Sequence, residues 1–403
     1  MTDGGTEGQD DPTAVLAAPA GDADSRRSVL LLGADELARE LAIALGRLGA
    51  RVIVAEEYPH APAHGVADQS VIIALADPAD VSKVVQRLRP DVVVAASDTV
   101  AGDALDAVAS GPGGHRPEVV PGARAVRLAA DREGLRRLAA DELGLPTAPF
   151  WTVGSAGELE AVGAHAGYPL VVKPVSGPLG RGQSVVTGRD DVGPAWQRAV
   201  SGGQHRALAE SVVEVEHYVT LLAVRVEGPS GPSIEFCSPI GHRDPGAGVS
   251  ESWQPQKLSE AATDAARSIA ARIVKALGGT GVFGVELMVN GDEVYFADVS
   301  ARPRDSAWVT LRGQRLSAFE LQARAILGLP VDTVMVSPAA ARAVTPTAAA
   351  SAAALSRALD VPESDVLVSG RAYQALATAP DVAAARERAG EVAHQLADRH
   401  PPA

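Results

Sequence analysis

Residues 284–299 read GVELMVNGDEVYFADV, in which two apolar segments flank Asn290-Gly291-Asp292. An Asn-Gly pair between such segments is a strong β-hairpin signal. Each predicted strand carries an acid between apolar neighbours, Glu286 on the first and Asp298 on the second. Carboxylates on adjoining strands of one hairpin suit Mg²⁺, a hard cation that prefers oxygen ligands and accompanies nucleotide phosphates.

The register of this hairpin decides whether the two acids can act together, because a one-residue slip turns a side chain to the other face. A two-residue Asn-Gly turn pairs Val289 with Asp292 and separates Glu286 and Asp298 onto opposite faces. A three-residue turn pairs Gly284 with Asp298 and places the acids on one face, diagonally related. These residues alone do not decide between the two registers. A third interpretation also stays open, in which the two acids are solvated and have no shared role.

Two arginines follow the second strand directly, Arg302 and Arg304. Pro303 between them keeps Arg302 extended. Guanidinium groups at this place can neutralise charge on a transferring phosphoryl group, which favours the arrangement with both acids on one face. Arg302 is therefore the candidate catalytic residue.

A second hairpin is predicted upstream, with strands from Tyr168 to Val175 and from Ser184 to Thr187. The connecting residues 176–183 read SGPLGRGQ, and Lys173 stands just before them. Backbone amides of a glycine-rich loop can close over phosphates, so we interpret the loop as a flap that nucleotide would order. Its spacing is not that of a P-loop, and a glycine loop alone also fits a simple hairpin tip.

The N-terminal part predicts an α/β fold with a parallel sheet. From Ser28 onward an apolar strand at residues 29–32, a helix at residues 36–49 and an apolar strand at residues 51–55 form a βαβ unit, and further strands and helices alternate after it. Apart from Gly33, the glycines of the dinucleotide fingerprint are missing, which disfavours NAD. Glu56 and Glu57 follow the second strand, where acids can hold a ribose hydroxyl, but solvated acids are more common at strand ends and are the interpretation taken here. Downstream, residues 125–144 predict one helix and residues 381–399 another.

Composition bounds the function. A chain of 403 residues predicts two or three domains, and its net charge of −14 argues against nucleic acid or an anionic membrane as a partner. The single cysteine, Cys237, is interpreted as a buried structural thiol. Residues 1–24 lack the pattern of a signal peptide and predict a disordered tail, and no apolar stretch is long enough for a membrane helix. We therefore expect a cytoplasmic protein.

Several motifs resemble one family. They are residues 168–183, Gly241-His242-Arg243, Glu251-Ser252-Trp253-Gln254-Pro255-Gln256, residues 283–287 and residues 299–303. Together they are similar to the formate-dependent phosphoribosylglycinamide formyltransferase family of ATP-grasp enzymes, from about Ser28 to about Leu329 and more weakly beyond. The resemblance implies a tail at 1–26, a Rossmann-like substrate domain at 27–124, an ATP-grasp domain at 125–330 and a small C-terminal domain at 331–403. It also implies a homodimer.

The resemblance carries over to individual positions of this sequence. The implied ATP-binding residues are Arg132, Lys173, Pro178, Leu179, Gly180, Arg181, Gly182, Gln183, Glu210, Ser211, Val212, Val213 and Tyr218. Of these, the resemblance implies that residues 210–213 form a hinge whose backbone reads adenine. The implied magnesium ligands are Glu286 and Asp298, and the implied substrate contacts are Glu36, Leu37, Asp305 and Arg371. The implied reaction converts formate and ATP into formyl phosphate, which the amine of glycinamide ribonucleotide then attacks.

Some positions depart from the family's pattern. Tyr218 stands where the family has a glutamate for the ATP ribose, and Ala96 stands where it has a substrate-binding glutamate. Arg371 replaces a lysine, and the pair of arginines expected after it is missing. Two other functions therefore stay open, a related ligase that joins a different carboxylate or an unphosphorylated amine, and a nucleotide-binding regulator without turnover.

Overall fold

The computed structural model describes residues 16–17, 26–111, 114–177, 182–228, 231–243, 250–345, 350–369 and 372–397. The chain forms two compact units, Met1–Val119 and Val120–Ala403. The domain boundaries at residues 26, 124 and 330 stay predictions.

The first unit contains a parallel sheet with helical connections. Its strands are β1 Leu16–Ala17, β2 Ser28–Leu32, β3 Arg51–Glu56, β4 Gln69–Ile72, β5 Val92–Ala95 and β6 Glu118–Val120. Its helices are α1 Glu36–Arg47, α2 Pro78–Leu88 and α3 Gly102–Ala109, with a 3₁₀ turn at Pro62–Gly65. The strand order is β1-β4-β3-β2-β5-β6, and β2 to β5 pair in parallel while β1 is antiparallel to β4. The predicted parallel sheet is confirmed.

Local sequence explains these elements. The apolar strands β2, β3 and β5 are almost wholly buried, as expected for a parallel sheet covered by helices. Asp35 accepts a hydrogen bond from the amide of Ala38 and so caps α1, and Asp77 caps α2, which begins at Pro78. Capping residues thus set where both helices begin.

The second unit combines two antiparallel sheets with helices. Its strands are β7 Phe150–Val153, β8 Leu170–Pro174, β9 Ser184–Val186, β10 Ala207–Ser211, β11 His217–Gly228, β12 Gly231–Phe236, β13 Ile240–Arg243, β14 Glu251–Gln254, β15 Gly281–Asn290, β16 Glu293–Ser300, β17 Ala339–Val344, β18 Ser364–Ser369 and β19 Ala372–Thr378. Its helices are α4 Ala123–Ala130, α5 Arg132–Arg137, α6 Ala156–Ala166, α7 Val192–Val200, α8 Glu260–Leu277, α9 Thr310–Gly313, α10 Ala318–Ile326, α11 Ala352–Leu359 and α12 Val382–Ala397. Shorter turns lie at Leu138–Glu142, Arg189–Asp191 and Asp305–Val309.

The smaller sheet has the order β7-β10-β8-β9, and the larger one has the order β16-β15-β11-β13-β14-β17-β19-β18 with β12 paired to β11. Helix α8 packs on one face of the larger sheet, where Ile269 and Ile273 join Val219, Leu221 and Phe283 in a buried core. Because side chains alternate along a strand, Thr220 and its cross-strand partner Glu286 point away from α8. The polar face of this sheet is therefore turned away from its main core.

The helix predicted at residues 125–144 is interrupted. Asp131 is extended (φ −101°, ψ 93°), ends α4, and accepts a hydrogen bond from the amide of Gly134 to cap α5. A residue that caps a new helix cannot continue the previous one, so the prediction of one continuous helix was wrong. The break places Arg132 at the first position of α5.

The C-terminal strands β17, β19 and β18 continue the larger sheet, and α12 packs on β17 and β19. The helix predicted at residues 381–399 is confirmed as α12. In the parts of the chain that the structure describes, no helix combines the length and apolarity needed to cross a lipid bilayer.

Candidate functional site

The hairpin of β15 and β16 places Glu286 directly opposite Asp298. Its turn consists of Gly291 and Asp292, because Asn290 pairs with Glu293. The register then shifts between Glu286 and Leu287, where Leu287 pairs with Phe296 and Ala297 is the extra residue of a β-bulge. Directly opposed side chains share a face, so the prediction of both acids on one face is confirmed.

Both registers considered from the sequence were wrong. The two-residue turn is Gly291-Asp292 rather than Asn290-Gly291, and Gly284 pairs with Ser300 rather than with Asp298. At the bulge, Phe296 takes other partners, since its amide donates to the carbonyl oxygen of Pro146 at 2.8 Å and its carbonyl accepts from Nη1 of Arg136 at 3.1 Å. Pro146 and Arg136 lie outside the hairpin, and they satisfy the backbone amide and carbonyl of Phe296 where the bulge interrupts the regular cross-strand hydrogen bonds.

Hydroxyl and imidazole groups surround the Glu286 carboxylate. Oγ1 of Thr220 lies 3.0 Å from both carboxylate oxygens, and Nε2 of His242 lies 3.0 Å from Oε2. Thr220 also contacts Oγ of Ser306 at 2.9 Å. The sequence analysis did not identify Thr220 or Ser306 as site residues, although the single threonine among the apolar residues of β11 was a usable signal.

Cationic side chains face Asp298. Burial raises the pKa of the Asp298 carboxyl above its ordinary value, while the charges of Arg132, Lys173 and Arg136 oppose that rise. The backbone amide of Val299 donates to Oδ1 of Asp298 at 2.8 Å. The candidate metal ligand Asp298 and the candidate phosphate contacts Arg132 and Lys173 therefore belong to one electrostatic environment.

Glu210 joins this environment through its side chain. Its Oε1 lies 2.6 Å from Nε of Arg136, and its Oε2 lies 2.6 Å from Nζ of Lys173. Burial alone would raise the pKa of Glu210, but these two cations bring the pKa below its ordinary value. The sequence analysis predicted a role for the Glu210 backbone in reading adenine, and that role stays a prediction; the ion pair of its side chain is an additional finding.

The other residues predicted to read adenine and ribose follow Glu210. Strand β10 ends at Ser211, whose amide donates to the carbonyl of Pro149 at 2.9 Å. Val212 and Tyr218 are exposed, at 50% and 39%, and Val213 is half-buried. The Tyr218 ring stacks on the ring of His242 with centroids 6.3 Å apart, so Tyr218 lies beside the carboxylate site.

The predicted second hairpin exists, since β8 and β9 pair antiparallel. The flap residues Pro178, Leu179, Gly180 and Arg181 lie outside the described residues. Of the others, Gly182 adopts φ 75°, and a Cβ there would lie 2.8 Å from Cγ of Pro174, so this position requires glycine. Gln183 is half-buried next to β9.

Arg132 is bonded to the chain segment that enters the flap. Its guanidinium donates to the carbonyl oxygens of Pro174 and Gly177 at 3.0 and 2.7 Å, and its backbone amide donates to the carbonyl of Val175 at 2.9 Å. Besides its predicted phosphate contact, Arg132 therefore anchors one end of the flap.

We expect added Mg-ATP to slow amide hydrogen exchange across residues 176–183, because phosphate oxygens would accept hydrogen bonds from the flap amides. Exchange is measured by mass spectrometry with and without nucleotide. The turn at Gly291 serves as the control peptide, since it is an exposed glycine turn with no predicted nucleotide contact. Equal exchange of the flap in both conditions would count against a phosphate-binding role.

Residues predicted to act on substrate lie close to the hairpin in sequence. The hydroxyl of Ser300, at the end of β16, donates to the carbonyl of Arg302 at 2.8 Å and fixes the chain there. Arg304 precedes the 3₁₀ turn Asp305–Val309, in which Asp305 is exposed and Ser306 is buried. In this turn Asp305 is exposed, while the side chain of the next residue, Ser306, contacts Thr220.

The first unit, taken by itself, has a polar edge at the start of α1. Glu36 and Leu37 form the first turn of α1 and are half-buried. Gly33 adopts φ 117°, and a Cβ there would lie 2.6 Å from Cβ of Ser97, so the ends of β2 and β5 approach closely. Ala96 is 5% exposed and brings no charge to this edge, and Arg371 lies outside the described residues.

The interpretation of Glu56 as a solvated acid was wrong. Glu56 is 8% exposed, and its carboxylate accepts hydrogen bonds from the amides of Ala34 and Glu57 at 2.9 and 2.8 Å. A carboxylate that bonds two amides stabilises the turn leading into α1. Cys237 is buried as predicted, and burial raises its pKa to about 12, so the thiol stays protonated.

Similarity to known proteins accords with this arrangement. A family model described as the ATP-grasp domain matches residues 138–319. A formate-dependent phosphoribosylglycinamide formyltransferase from Corynebacterium glutamicum is 45% identical over 90% of this chain and 92% of its own length. One from Paraburkholderia xenovorans is 44% identical over 92% of this chain and 95% of its own length.

A solved structure is similar over the same range. The structure of glycinamide-RNase-transformylase T from Mycobacterium tuberculosis has a TM-score of 0.81 and 60% sequence identity, and the match covers 92% of this chain and all of that chain (100%). Its identity is higher than that of either relative named above. The chain accordingly belongs to the formate-dependent phosphoribosylglycinamide formyltransferase family of ATP-grasp enzymes.

Proposed function

We propose that this protein uses ATP and Mg²⁺ to formylate the amine of glycinamide ribonucleotide with formate, a step of purine biosynthesis. The observation that carries the proposal is the cross-strand pair Glu286 and Asp298, with Lys173, Arg132 and Arg136 acting on Asp298. Family membership supplies the identity of the substrates. Carboxylates and cations at one place are what the binding of a metal–nucleotide complex requires.

The residues present fit a magnesium ion. Among the described residues, no group of three or more His, Cys, Asp or Glu side chains is arranged to hold a metal ion. A cation at Glu286 and Asp298 would therefore complete its shell with phosphate oxygens and water, which is how Mg²⁺ commonly binds in nucleotide enzymes. When bound, Mg²⁺ would neutralise phosphate charge and orient the transferring group.

The chain's own residues would support two successive transfers. In the first, a formate oxygen attacks the γ-phosphorus, the bond to the ADP oxygen breaks, and Lys173, Arg132 and Arg302 would neutralise charge on the phosphate oxygens. In the second, the amine attacks the formyl carbon, phosphate leaves and the amine loses a proton. Closure of the flap would exclude water, which otherwise hydrolyses the acyl phosphate.

The test is an ADP-release assay coupled to detection of the formylated product. Formate and glycinamide ribonucleotide together should give stoichiometric ADP, phosphate and formyl product. ADP release that requires another carboxylate or an unphosphorylated amine would instead show a related ligase. No ADP release with any acceptor, together with nucleotide binding, would show a regulator.

Glycinamide ribonucleotide should have a high KM, and Arg371→Ala should raise it further. Each lost charge-assisted phosphate contact is worth roughly 1.5 to 3 kcal/mol, so the loss of two weakens binding by about two to four powers of ten. A phosphate bound chiefly by one cation should also bind with a steep salt dependence, because salt screens a single charge pair. Initial rates at varied acceptor and salt concentration measure all three effects.

Arg87→Ala is the matched control, because Arg87 is an exposed arginine in the last turn of α2. It should leave the KM unchanged. Saturation at low substrate concentration with no effect of Arg371→Ala would show that other residues hold the phosphate.

Assembly and location are part of the proposal. We propose a homodimer in the cytoplasm on the strength of the family resemblance, with small molecules as the only substrates. Light scattering of the purified chain tests the dimer, and a mass of one chain across the working concentration range would refute it.

A further inference from the structure

The carboxylate of Glu286 is held by a chain of hydrogen bonds that runs to the turn bearing Asp305. Thr220, directly opposite Glu286 on β11, is 1% exposed, and Ser306 in the turn Asp305–Val309 is also 1% exposed. The contacts are 3.0 Å from Thr220 to Glu286 and 2.9 Å from Thr220 to Ser306. Buried hydroxyls need hydrogen-bond partners within the protein, and these two have them.

The chemistry of each group limits which of them can donate and which can accept in this series of hydrogen bonds. An ionised carboxylate only accepts, so the single hydroxyl hydrogen of Thr220 goes to Glu286. Oγ1 of Thr220 also contacts Oγ of Ser306 at 2.9 Å, so Ser306 helps to fix the position of the Thr220 hydroxyl. On the other side, His242 must carry its proton on Nε2 to donate to Oε2 of Glu286. The carboxylate therefore receives hydrogen bonds from Thr220 and His242, and Ser306 orients Thr220.

We propose that Thr220 is a positioning residue of the enzyme, which fixes the rotamer of Glu286 for metal binding and links that carboxylate through Ser306 to the Asp305 turn. The inference rests on the proposed function, because it takes Glu286 as a metal ligand. A carboxylate fixed before the metal arrives loses less freedom on binding, and such supporting residues commonly change metal affinity. The direct contact of Ser306 with Thr220 also ties the metal ligand to the residue expected to contact the amine.

The decisive measurement is Mn²⁺ binding to the full chain in the presence of ADP. Electron paramagnetic resonance detects the free and bound Mn²⁺. Thr220→Val keeps the shape and β-branching of the side chain but removes the hydroxyl. It should raise the dissociation constant about 10- to 100-fold, the range seen when residues that orient a metal ligand are replaced. Thr220→Ser keeps the hydroxyl, and its dissociation constant should stay within about a factor of two of the wild-type value, well below that range.

Ser306→Ala tests the other end of the chain and decides the matter if Thr220→Val does not fold. It should weaken Mn²⁺ binding and raise the KM of the amine, and the Thr220→Val, Ser306→Ala double variant should bind Mn²⁺ no worse than Thr220→Val alone. Wild-type Mn²⁺ binding by folded Thr220→Val, equal losses in Thr220→Val and Thr220→Ser, or an unchanged Ser306→Ala would each overturn the proposal.

Glu286→Gln separates this proposal from the proposed function. If Glu286→Gln binds Mn²⁺ as the wild type does, the metal assignment fails and the role of Thr220 fails with it. If Glu286→Gln loses Mn²⁺ while Thr220→Val retains it, only the role of Thr220 is refuted.

Discussion

Glu286→Gln should reduce ATP turnover by about a hundredfold or more while leaving the fold intact. The substitution removes one anionic metal ligand and keeps the size of the side chain. A bound metal supplies several kcal/mol of charge stabilisation, and about 3 kcal/mol corresponds to roughly a hundredfold in rate. The measurement is formate-dependent ADP release at saturating Mg-ATP, with circular dichroism to confirm folding.

Glu293→Gln is the control for this substitution. Glu293 lies on the same hairpin, is exposed, and accepts a hydrogen bond from the hydroxyl of Tyr295 at 2.8 Å. Because it is beside the turn and outside the carboxylate pair, its loss should leave turnover unchanged. Turnover of Glu286→Gln within about twofold of the wild type is incompatible with a metal-ligand role.

The hairpin shows how far sequence reasoning reached. Asn290-Gly291 predicted a turn and the two acids predicted a metal site, and the structure places Glu286 opposite Asp298. The register was missed because counting along the strands cannot locate a bulge. The bulge at Ala297 depends on Pro146 and Arg136, which bond Phe296 from more than a hundred residues away in the chain.

The partners of the site residues were missed for a related reason. Thr220 and His242 reach Glu286 across 66 and 44 positions of the chain, and local patterns carry no information at that separation. The motif Gly241-His242-Arg243 had been noted as part of the family resemblance. The sequence therefore drew attention to His242 but assigned no role to it. Capping chemistry was local and readable, yet the break at Asp131 was hidden inside a continuous helical pattern.

The buried ion pair of Arg136 and Glu210 gives the largest expected effect on stability. Arg136 is 3% exposed and Glu210 is 5% exposed. Besides its bonds to Glu210, Arg136 donates to the carbonyl of Phe296 and its guanidinium lies 5.8 Å from the centre of that ring. One side chain therefore joins α5, β10 and the bulge of β16.

Arg136→Met should destabilise the protein by about 3 to 5 kcal/mol, because removing one member of a buried pair leaves a buried charge without its main partner. Lys173 remains at 2.6 Å from Oε2 of Glu210, but the Phe296 carbonyl loses the hydrogen bond that Arg136 donated. Arg137→Met is the matched control on the same helix. Its ion pair with Glu133 is at the surface, where Arg137 is 59% exposed, and should contribute at most about 1 kcal/mol.

The effect of pH distinguishes lost charge pairing from lost packing. In the wild type the pKa of Glu210 is below its ordinary value, so the stabilisation is present above the pKa of the unfolded chain and is lost as pH falls through the folded pKa. Without Arg136 that lowering is reduced, so the variant should lose less stability on acidification than the wild type does. Urea unfolding at neutral and acidic pH measures both differences. Equal losses in Arg136→Met and Arg137→Met at neutral pH would show that the buried pair contributes no more than a surface one.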